Sequence, residues 1–479
     1  MTASATTISS RLQAIVGASY VLDQPADCRA WAVDDVIPSI IVRPASAEEV
    51  AEVIRFAGAE KLAVIPAGAR TKLTIGMPPA RYDVALDITR INEIAHYDPG
   101  DLTLSVDAGM PLAKLNATLA ERGQFLPWLV PYYAQSTVGG TLASGMDSPL
   151  RQFYGTARDF VIGAEFVTGE GKQSKSGGRV VKNVAGYDLH KLLIGSLGTL
   201  AVITRVNFRT FPAPPASRGF VASFSSAEGA LELRRRIAES PLTPLTLDIL
   251  SPELAQIFAT RTPSGNEPPI FSANGQEPAD SKLALPGDWF RARDWQLCAA
   301  FGGTPEVLER YARDLKRHAQ ESRATSTSVL DDTTRPTVWG RLRESLPMLI
   351  DASAATTIFK VSLLPGHHAS AIARLREIAA RASLPSALVA RATGTIYFAV
   401  LPETKNRNVM MQLQQCTAAT FEFAADSRDH ATIPFCPVEL KQAVNVWGPA
   451  CGDFPLMRRV KKTFDPEGVL APGRFVGGL

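Results

Sequence analysis

Three short segments carry the residue types that could do chemistry. The first, Pro66-Ala67-Gly68-Ala69-Arg70-Thr71-Lys72, follows an apolar run, Leu62 to Pro66. A glycine turn at a strand end lets several main-chain N–H groups converge. Thr71 adds a hydroxyl, and Arg70 and Lys72 add positive charge. That combination can cradle an anion such as a diphosphate. The second, Gln135 to Gly145, holds Ser136, Thr137, Val138, Gly139, Gly140, Thr141 and Ser144. It is too apolar for a linker and reads as too glycine-rich for a strand or helix, so close approach of a ligand explains it best. The third has Gly186-Tyr187-Asp188, then Gly195 and Gly198 before an apolar strand, Leu200 to Thr204. Glycines inside an apolar run weaken packing unless something must come near.

Regular elements position these turns. Ser46 opens a helix with Glu49 three residues on, a capping-box pattern. Val50, Val53, Ile54 and Ala57 share one face. Strands follow at Leu62 to Pro66, Asp83 to Ile88 and Leu102 to Val106, and Pro111 starts a second helix. Strand patterns recur at Phe160 to Thr168, Gly177 to Val181 and Thr199 to Phe211. Pro212-Ala213-Pro214-Pro215 is the clearest boundary. Beyond it, strands at Gly219 to Phe224, Leu245 to Leu250, Trp295 to Phe301, Thr356 to Leu364 and Leu388 to Leu401 alternate with helices, an α+β rhythm. Thr262 to Asp288 reads as a long exposed loop. No internal repeat stands out.

Bulk properties narrow the class. A chain of 479 residues holds more than one domain, and a net charge of +3 without like-charge runs argues against a nucleic-acid partner. Cys28, Cys298, Cys416, Cys436 and Cys451 are scattered and form no CxxC pair, against a disulfide framework and against an iron–sulfur cluster held by this chain alone. The N-terminus has no apolar signal core, and the apolar stretch Leu192 to Ile203 is too short to span a bilayer. The expectation is a soluble, cytoplasmic protein, with any membrane association made through a partner.

Taken together, the three segments resemble the FAD-binding domain of the vanillyl-alcohol oxidase and p-cresol methylhydroxylase (PCMH) type. More narrowly, the chain resembles the FAD-binding subunits of bacterial glycolate oxidases. The narrower likeness rests on Gly178-Arg179-Val180-Val181-Lys182-Asn183-Val184-Ala185-Gly186-Tyr187-Asp188-Leu189, on the GSLGTLAVIT stretch and on the ending FDPEGVLAPGRF. The resemblance implies an α+β fold. A lead-in (1–39) would precede a two-subdomain PCMH-type FAD-binding domain (40–211). An α+β, ferredoxin-like cap (217–430) would follow, then a C-terminal segment (431–479) returning to the FAD domain.

By position, the resemblance also implies roles. Pro66 to Lys72 would hold the FAD diphosphate, and Gln135 to Gly145 would run beside the phosphates and the ring. Arg151, Tyr154, Gly155, Arg158 and Asp159 would pack on the cofactor. Val202 and Ile203 would offer main-chain groups, Lys182, Asn183 and Tyr187 would lie near the ring face, and Arg474 would close the site.

Two departures matter. Relatives that carry FAD on a histidine have it near the first loop, where this chain has Ala69-Arg70-Thr71, so FAD is expected to be non-covalent. Catalytic 2-hydroxy-acid dehydrogenases carry an HPGDGNLH-like pattern. Here only His367-His368 follows Pro365-Gly366, read as two exposed histidines at a helix start, and no metal site is expected. No catalytic base is named. Lys360 and Arg391 could bind a carboxylate or could be solvated or salt-bridged. Three functions stay open. The first is an FAD-binding subunit that oxidises a small 2-hydroxy acid (glycolate or D-lactate) beside a catalytic flavoprotein subunit and an iron–sulfur subunit. The others are a self-sufficient FAD-dependent dehydrogenase or oxidase and a structural subunit of flavin-type fold.

Overall fold

The computed structural model describes residues 5–179, 186–261, 291, 293–331, 335–450 and 452–479. The expected loop Thr262 to Asp288, Lys182, Asn183, Cys451 and the far end of the expected strand Gly177 to Val181 lie outside them.

The first subdomain is a small sheet of β1 (Val21–Leu22), β2 (Ile40–Val42), β3 (Val64–Ala67) and β4 (Val84–Asp87) in the order β1-β2-β4-β3. β2, β4 and β3 are parallel. The helix Ala47–Ala59 crosses between β2 and β3 and buries the expected face, Val50, Val53, Ile54 and Ala57. Ser46 caps it by accepting the Glu49 N–H at 3.2 Å, while the Glu49 carboxylate takes the Ala45 N–H rather than that of Ser46. β3 ends directly in the first glycine segment.

The second subdomain is built on β5 (Ile94–Asp98) and β6 (Thr103–Asp107). A short strand, β7 (Gln124–Phe125), intervenes before β8 (Val161–Thr168), β9 (Gln173–Gly177) and β10 (Ala201–Arg209). The five long strands form an antiparallel sheet, β5-β6-β10-β8-β9. β11 (Phe211–Pro212) pairs with β7, so the proline-rich boundary is still tied to the FAD-side sheets.

Among the described residues the cap is one antiparallel sheet of eight strands. They are β12 (Ala216–Phe224), β13 (Thr246–Leu250), β14 (Trp295–Gly303), β15 (Ser326–Leu330), β16 (Thr357–Ser362), β17 (Ser386–Arg391), β18 (Thr395–Val400) and β19 (His430–Phe435). Their order is β15-β12-β14-β13-β17-β18-β16-β19. This is a duplication: each half is a βαββαβ unit of ferredoxin-like order, and the halves join edge to edge at β13 and β17. The repeat is carried by topology and is not visible in the sequence. Helices Ala227–Ala238, Pro305–Glu321, His368–Arg381 and Arg407–Asp426 cover one face. Phe220, Leu297, Phe359 and Phe398 point to that face, while Val221, Cys298, Ile358 and Tyr397 join the core shared with the FAD domain.

Two expectations need correction. Leu388 to Leu401 is a hairpin, β17 and β18, not one strand. It turns at Gly394 (φ 89°), where a Cβ would lie 2.1 Å from the Leu363 carbonyl. The glycine-rich second segment does form a helix, Val138–Ser144, capped by Thr137 and ended by left-handed Gly145. Its glycines are there for packing: a Cβ on Gly139 would sit 2.7 Å from that of Ala108.

The chain's end returns to the first subdomain. Val64 donates to the Val469 carbonyl and accepts from the Ala471 N–H, both at 2.8–2.9 Å. Asp465, fully buried, accepts from Lys461 Nζ (2.6 Å), Val469 N–H (2.9 Å) and Leu470 N–H (2.8 Å).

Candidate active site

The turn after β3 is held open from behind. Buried Arg474 donates to the carbonyls of Leu73 and Ile75, and Lys441 donates to the Thr74 carbonyl while pairing with Asp34. These bonds fix the chain just after the turn, at Leu73, Thr74 and Ile75. The main-chain N–H groups of Gly68 to Lys72 find no acceptor among the described residues. Gly68 must be glycine, because a Cβ would meet Thr137 Oγ1 at 2.1 Å.

Lys72 is buried beneath these groups. Its ammonium donates to Ser136 Oγ and to Thr71 Oγ1 (3.2 Å). Burial pulls its pKa down to about 7 against the opposing pull of Glu344. Arg70 turns the other way: it stacks on Trp31 and donates to the Ala30 carbonyl, adopting φ 64°.

Helix Val138–Ser144 forms the opposite wall. Its leading N–H groups are already used: Val138 donates to Met110, Gly139 to Ala108 and Gly140 to Thr137 Oγ1. The N–H groups left without an acceptor at this place are therefore those of the turn, not of the helix end. Pro66 to Leu73, Thr137, Gly140, Ala143, Ser144, Leu197 and Arg474 line the resulting groove. Gly198 lies against Pro66, where a Cβ would come within 2.6 Å, so this glycine lets the third segment approach the groove. Val202 and Ile203 pair with β8, but β6 joins β10 only from Arg205, which leaves their other main-chain edge outside the ladder. Gln135 lies at the rim of a neighbouring cleft of about 760 Å³, shared with Thr71, Tyr132, Glu344 and Asp351.

Just past the groove, the chain from Ser144 to Asp147 reaches the cap. There the sequence reading had Arg391 and Lys360 but not Asp147, Asp248 or Tyr397. Arg391 on β17 pairs with Asp248 on β13 at 3.3 Å and approaches Asp147 at 3.7 Å. Arg151 approaches Asp147 from the other side at 3.6 Å. Burial raises the Asp248 carboxyl to about 6, with Arg391 opposing and Asp147 adding repulsion. Burial also lowers Lys360, directly across from Tyr397 in the β16–β18 ladder. These groups are scattered over more than two hundred residues of sequence. Their one local signal was a charge or hydroxyl inside an apolar strand.

An anion cradle backed by a buried lysine, with glycine where a side chain would block it, suits the diphosphate of a dinucleotide. Comparison with known proteins decides which. Residues 38–177 match the FAD binding domain, and 213–424 with 450–475 match the C-terminal domain of FAD linked oxidases. The chain belongs to the FAD-linked oxidases.

Its cofactor is FAD. Glycolate oxidase subunit GlcE of Escherichia coli (strain K12) is 37% identical over 41% of this chain, a match that spans only 55% of that relative. Glycolate oxidase subunit GlcD of Bacillus subtilis (strain 168) is 22% identical over 92% of the chain and 89% of the relative. A D-2-hydroxyglutarate dehydrogenase of Xanthomonas citri pv. viticola (strain LMG 965 / NCPPB 2475 / ICMP 3867 / CFBP 7660) is 32% identical over 46% of this chain and 48% of its own length. In fold, p-cresol methylhydroxylase superposes with a TM-score of 0.76 at 17% identity, covering 98% of this chain and 96% of the other.

Several residues implied by the resemblance lie elsewhere in this FAD-linked oxidase. Tyr154 packs edge-on against Phe125 and Phe211. Gly155 (φ 79°) makes room for the Asp159 carboxylate, which closes a capping box with Thr156, so both serve a local turn. Arg158 is exposed and donates to the Lys191 carbonyl. The Tyr187 side chain is 90% exposed. The histidines also differ from expectation. His368 is buried between the carbonyls of Pro365 (2.8 Å) and Arg391 (2.9 Å), while His367 pairs with Asp429. His368 thus anchors the strand that carries Arg391.

Proposed function

We propose that this FAD-linked oxidase takes part in the oxidation of a small 2-hydroxy acid, glycolate or D-lactate, as the FAD-binding subunit of a glycolate-oxidase-like complex. The observation that carries the reading is that one short stretch of chain serves both sites. Ala143 and Ser144 line the groove beside Gly68 to Lys72, and a few residues on Asp147 approaches Arg391 of the cap. When bound, FAD supplies a two-electron acceptor, so that a carbon bearing a hydroxyl can become a carbonyl.

The chain's own residues divide the remaining work. The turn N–H groups and Lys72 bind the diphosphate. Val138 to Gly145, with Val202 and Ile203, wall the flavin, and Arg474 keeps the turn open. The cap face covers the site and excludes water. Relatives named as glycolate oxidase subunits support assembly into a complex of several subunits, which a catalytic flavoprotein subunit and an iron–sulfur subunit would complete. No helix among the described residues is long and apolar enough to cross a membrane, so membrane association would come through such partners. With Ala69-Arg70-Thr71 at the histidine position, FAD is held without a covalent bond, and acid precipitation should release all of it to the supernatant.

The test is an anaerobic titration of the yellow protein with glycolate and D-lactate, alone and co-purified with the partner subunits. Bleaching only in the complex supports the subunit reading. Bleaching by the lone chain favours the second reading, a self-sufficient dehydrogenase, for which the charged cluster under the cap speaks. No bleaching in either sample rejects both.

A further inference from the structure

The cap helix His368–Arg381 opens on a histidine that is only 1% exposed. Both of its ring nitrogens meet carbonyl oxygens: Nδ1 lies 2.8 Å from that of Pro365, and Nε2 lies 2.9 Å from that of Arg391. A carbonyl can only accept. A neutral imidazole has one N–H, so its other nitrogen would turn a lone pair toward an oxygen lone pair at hydrogen-bond distance. The imidazolium, with two N–H donors, satisfies both oxygens.

The turn that His368 reaches is a junction. The Arg391 carbonyl also accepts the Gly394 N–H at 3.1 Å, and the Gly394 carbonyl accepts the Leu363 N–H at 2.8 Å. Arg234, on the helix Ala227–Ala238, donates to the Ala392 carbonyl at 3.2 Å. The other charged groups nearby are engaged elsewhere. Arg391 sends its side chain to Asp248 and Asp147, and Asp429, just past the helix Arg407–Asp426, pairs with His367. Among the described residues no carboxylate pairs with His368. Burial holds its pKa below the ordinary histidine value; the two carbonyls oppose that, and Arg234 adds to it. Its place at the positive end of its own helix disfavours the charge further. The proton is thus needed by the geometry and weakly held by the surroundings.

We propose that His368 is a proton-operated clamp, whose imidazolium ties the start of its helix to the β17–β18 turn and whose neutral form lets the turn go. The Arg391 carbonyl keeps the Gly394 N–H without the histidine, so it is the contact released. The clamp closes as pH falls through the folded pKa of His368 and opens as pH rises through it. The strand end that it holds carries the Arg391 guanidinium, which pairs with Asp248 and approaches Asp147 of the FAD domain. The proton therefore sets how firmly this edge of the cap is held against the cofactor domain.

The test follows the ring nitrogens of the six histidines by NMR in the full-length, FAD-loaded protein, from about pH 5 to about pH 8. The His368 signals are assigned by their loss in His368→Gln or, should that variant not fold, by elimination as the other histidines are replaced in turn. His368 should carry two ring protons at the acid end and one at the alkaline end. Hydrogen exchange at Gly394 and Leu363, corrected for its intrinsic pH dependence, should accelerate by roughly tenfold with the same midpoint, while β13 and β14 keep their protection. In His368→Gln that step should vanish. A single ring proton across the whole range, or two throughout, overturns the proposal. So does a titration of His368 that leaves exchange at Gly394 and Leu363 unchanged, or an exchange step that persists in His368→Gln.

Discussion

Gly68 sits where a side chain would collide with Thr137, and it opens the run Gly68 to Lys72 whose main-chain N–H groups have no acceptor among the described residues. Gly68→Val must therefore push the turn away from helix Val138–Ser144 and spread those groups apart. FAD affinity should fall by more than tenfold, measured by flavin fluorescence quenching, with the secondary structure unchanged. Lys72 gives a prediction in pH. Its folded pKa, about 7, lies below the ordinary lysine value because burial disfavours the charged form. Without cofactor, the unfolded chain binds more protons than the folded one above pH 7, so stability rises with pH from about 7 toward the unfolded lysine pKa. Below pH 7 the full burial cost is present. Lys72→Met should remove this slope from melting curves of the FAD-free protein. Bound diphosphate favours the ammonium, so FAD affinity in wild type should decline as pH rises above 7 and stay flat in Lys72→Met. A wild-type affinity independent of pH would separate Lys72 from the phosphates. The turn that holds Gly68 and Lys72 was legible in the sequence because a glycine turn after a buried strand is a local pattern, and its part in holding the diphosphate is what these two predictions test. Tyr154, Gly155 and Asp159 were not legible, because local aromatic packing and a helix cap use the same residue types.

At the scale of elements, two misreadings share a cause. Val138–Ser144 holds two glycines, which cost a helix about 1 kcal/mol each relative to alanine. They are kept because Gly139 lies flat against Ala108, a contact that sequence pattern does not contain. The hairpin β17–β18 looked like one strand because both arms are fully apolar on the helix face, and its turn, Ala392 to Gly394, is short. The C-terminal element makes a sharper prediction. Asp465 neutralises buried Lys461 and takes two main-chain N–H groups. Asp465→Ala leaves that lysine without its counter-charge, a loss of about 3–5 kcal/mol for a broken buried pair. Urea denaturation should show it. Since Ala471 hydrogen-bonds β3 and Arg474 holds the turn carbonyls, FAD should also dissociate faster from this variant.

In the whole molecule, the cap acts as a lid pinned to the cofactor domain. Glu344, between two cap helices, accepts the N–H groups of Tyr132 (2.7 Å) and Tyr133 (3.2 Å) and pairs with Arg343, which stacks on the Tyr133 ring. Glu344→Ala removes the acceptor of two main-chain donors, at about 1–3 kcal/mol for each left unsatisfied in the interior. Hydrogen exchange at Tyr132 to Ser136 should accelerate by at least tenfold while the cap's central strands keep their protection. Unchanged exchange there would mean that the domains are held by apolar packing alone.

The sequence by itself determined the turn after β3, the helix and strand pattern apart from helix Val138–Ser144 and the hairpin β17–β18, and the FAD-binding character of the chain. The turn and the elements are written in residues close together, through glycine spacing, caps and apolar periodicity, and the FAD-binding character is what the likeness of its motifs to a known family implies. Tertiary structure alone decided the rest. The duplicated cap depends on strand order, which no local pattern encodes. Asp147, Asp248, Arg391, Tyr397 and Lys360 meet only because two sheet halves join at β13 and β17 and fold over the segment that follows the flavin groove. Lys72 and Arg474 owe their shifted ionisation to burial by distant segments, and burial is a property of the packed molecule.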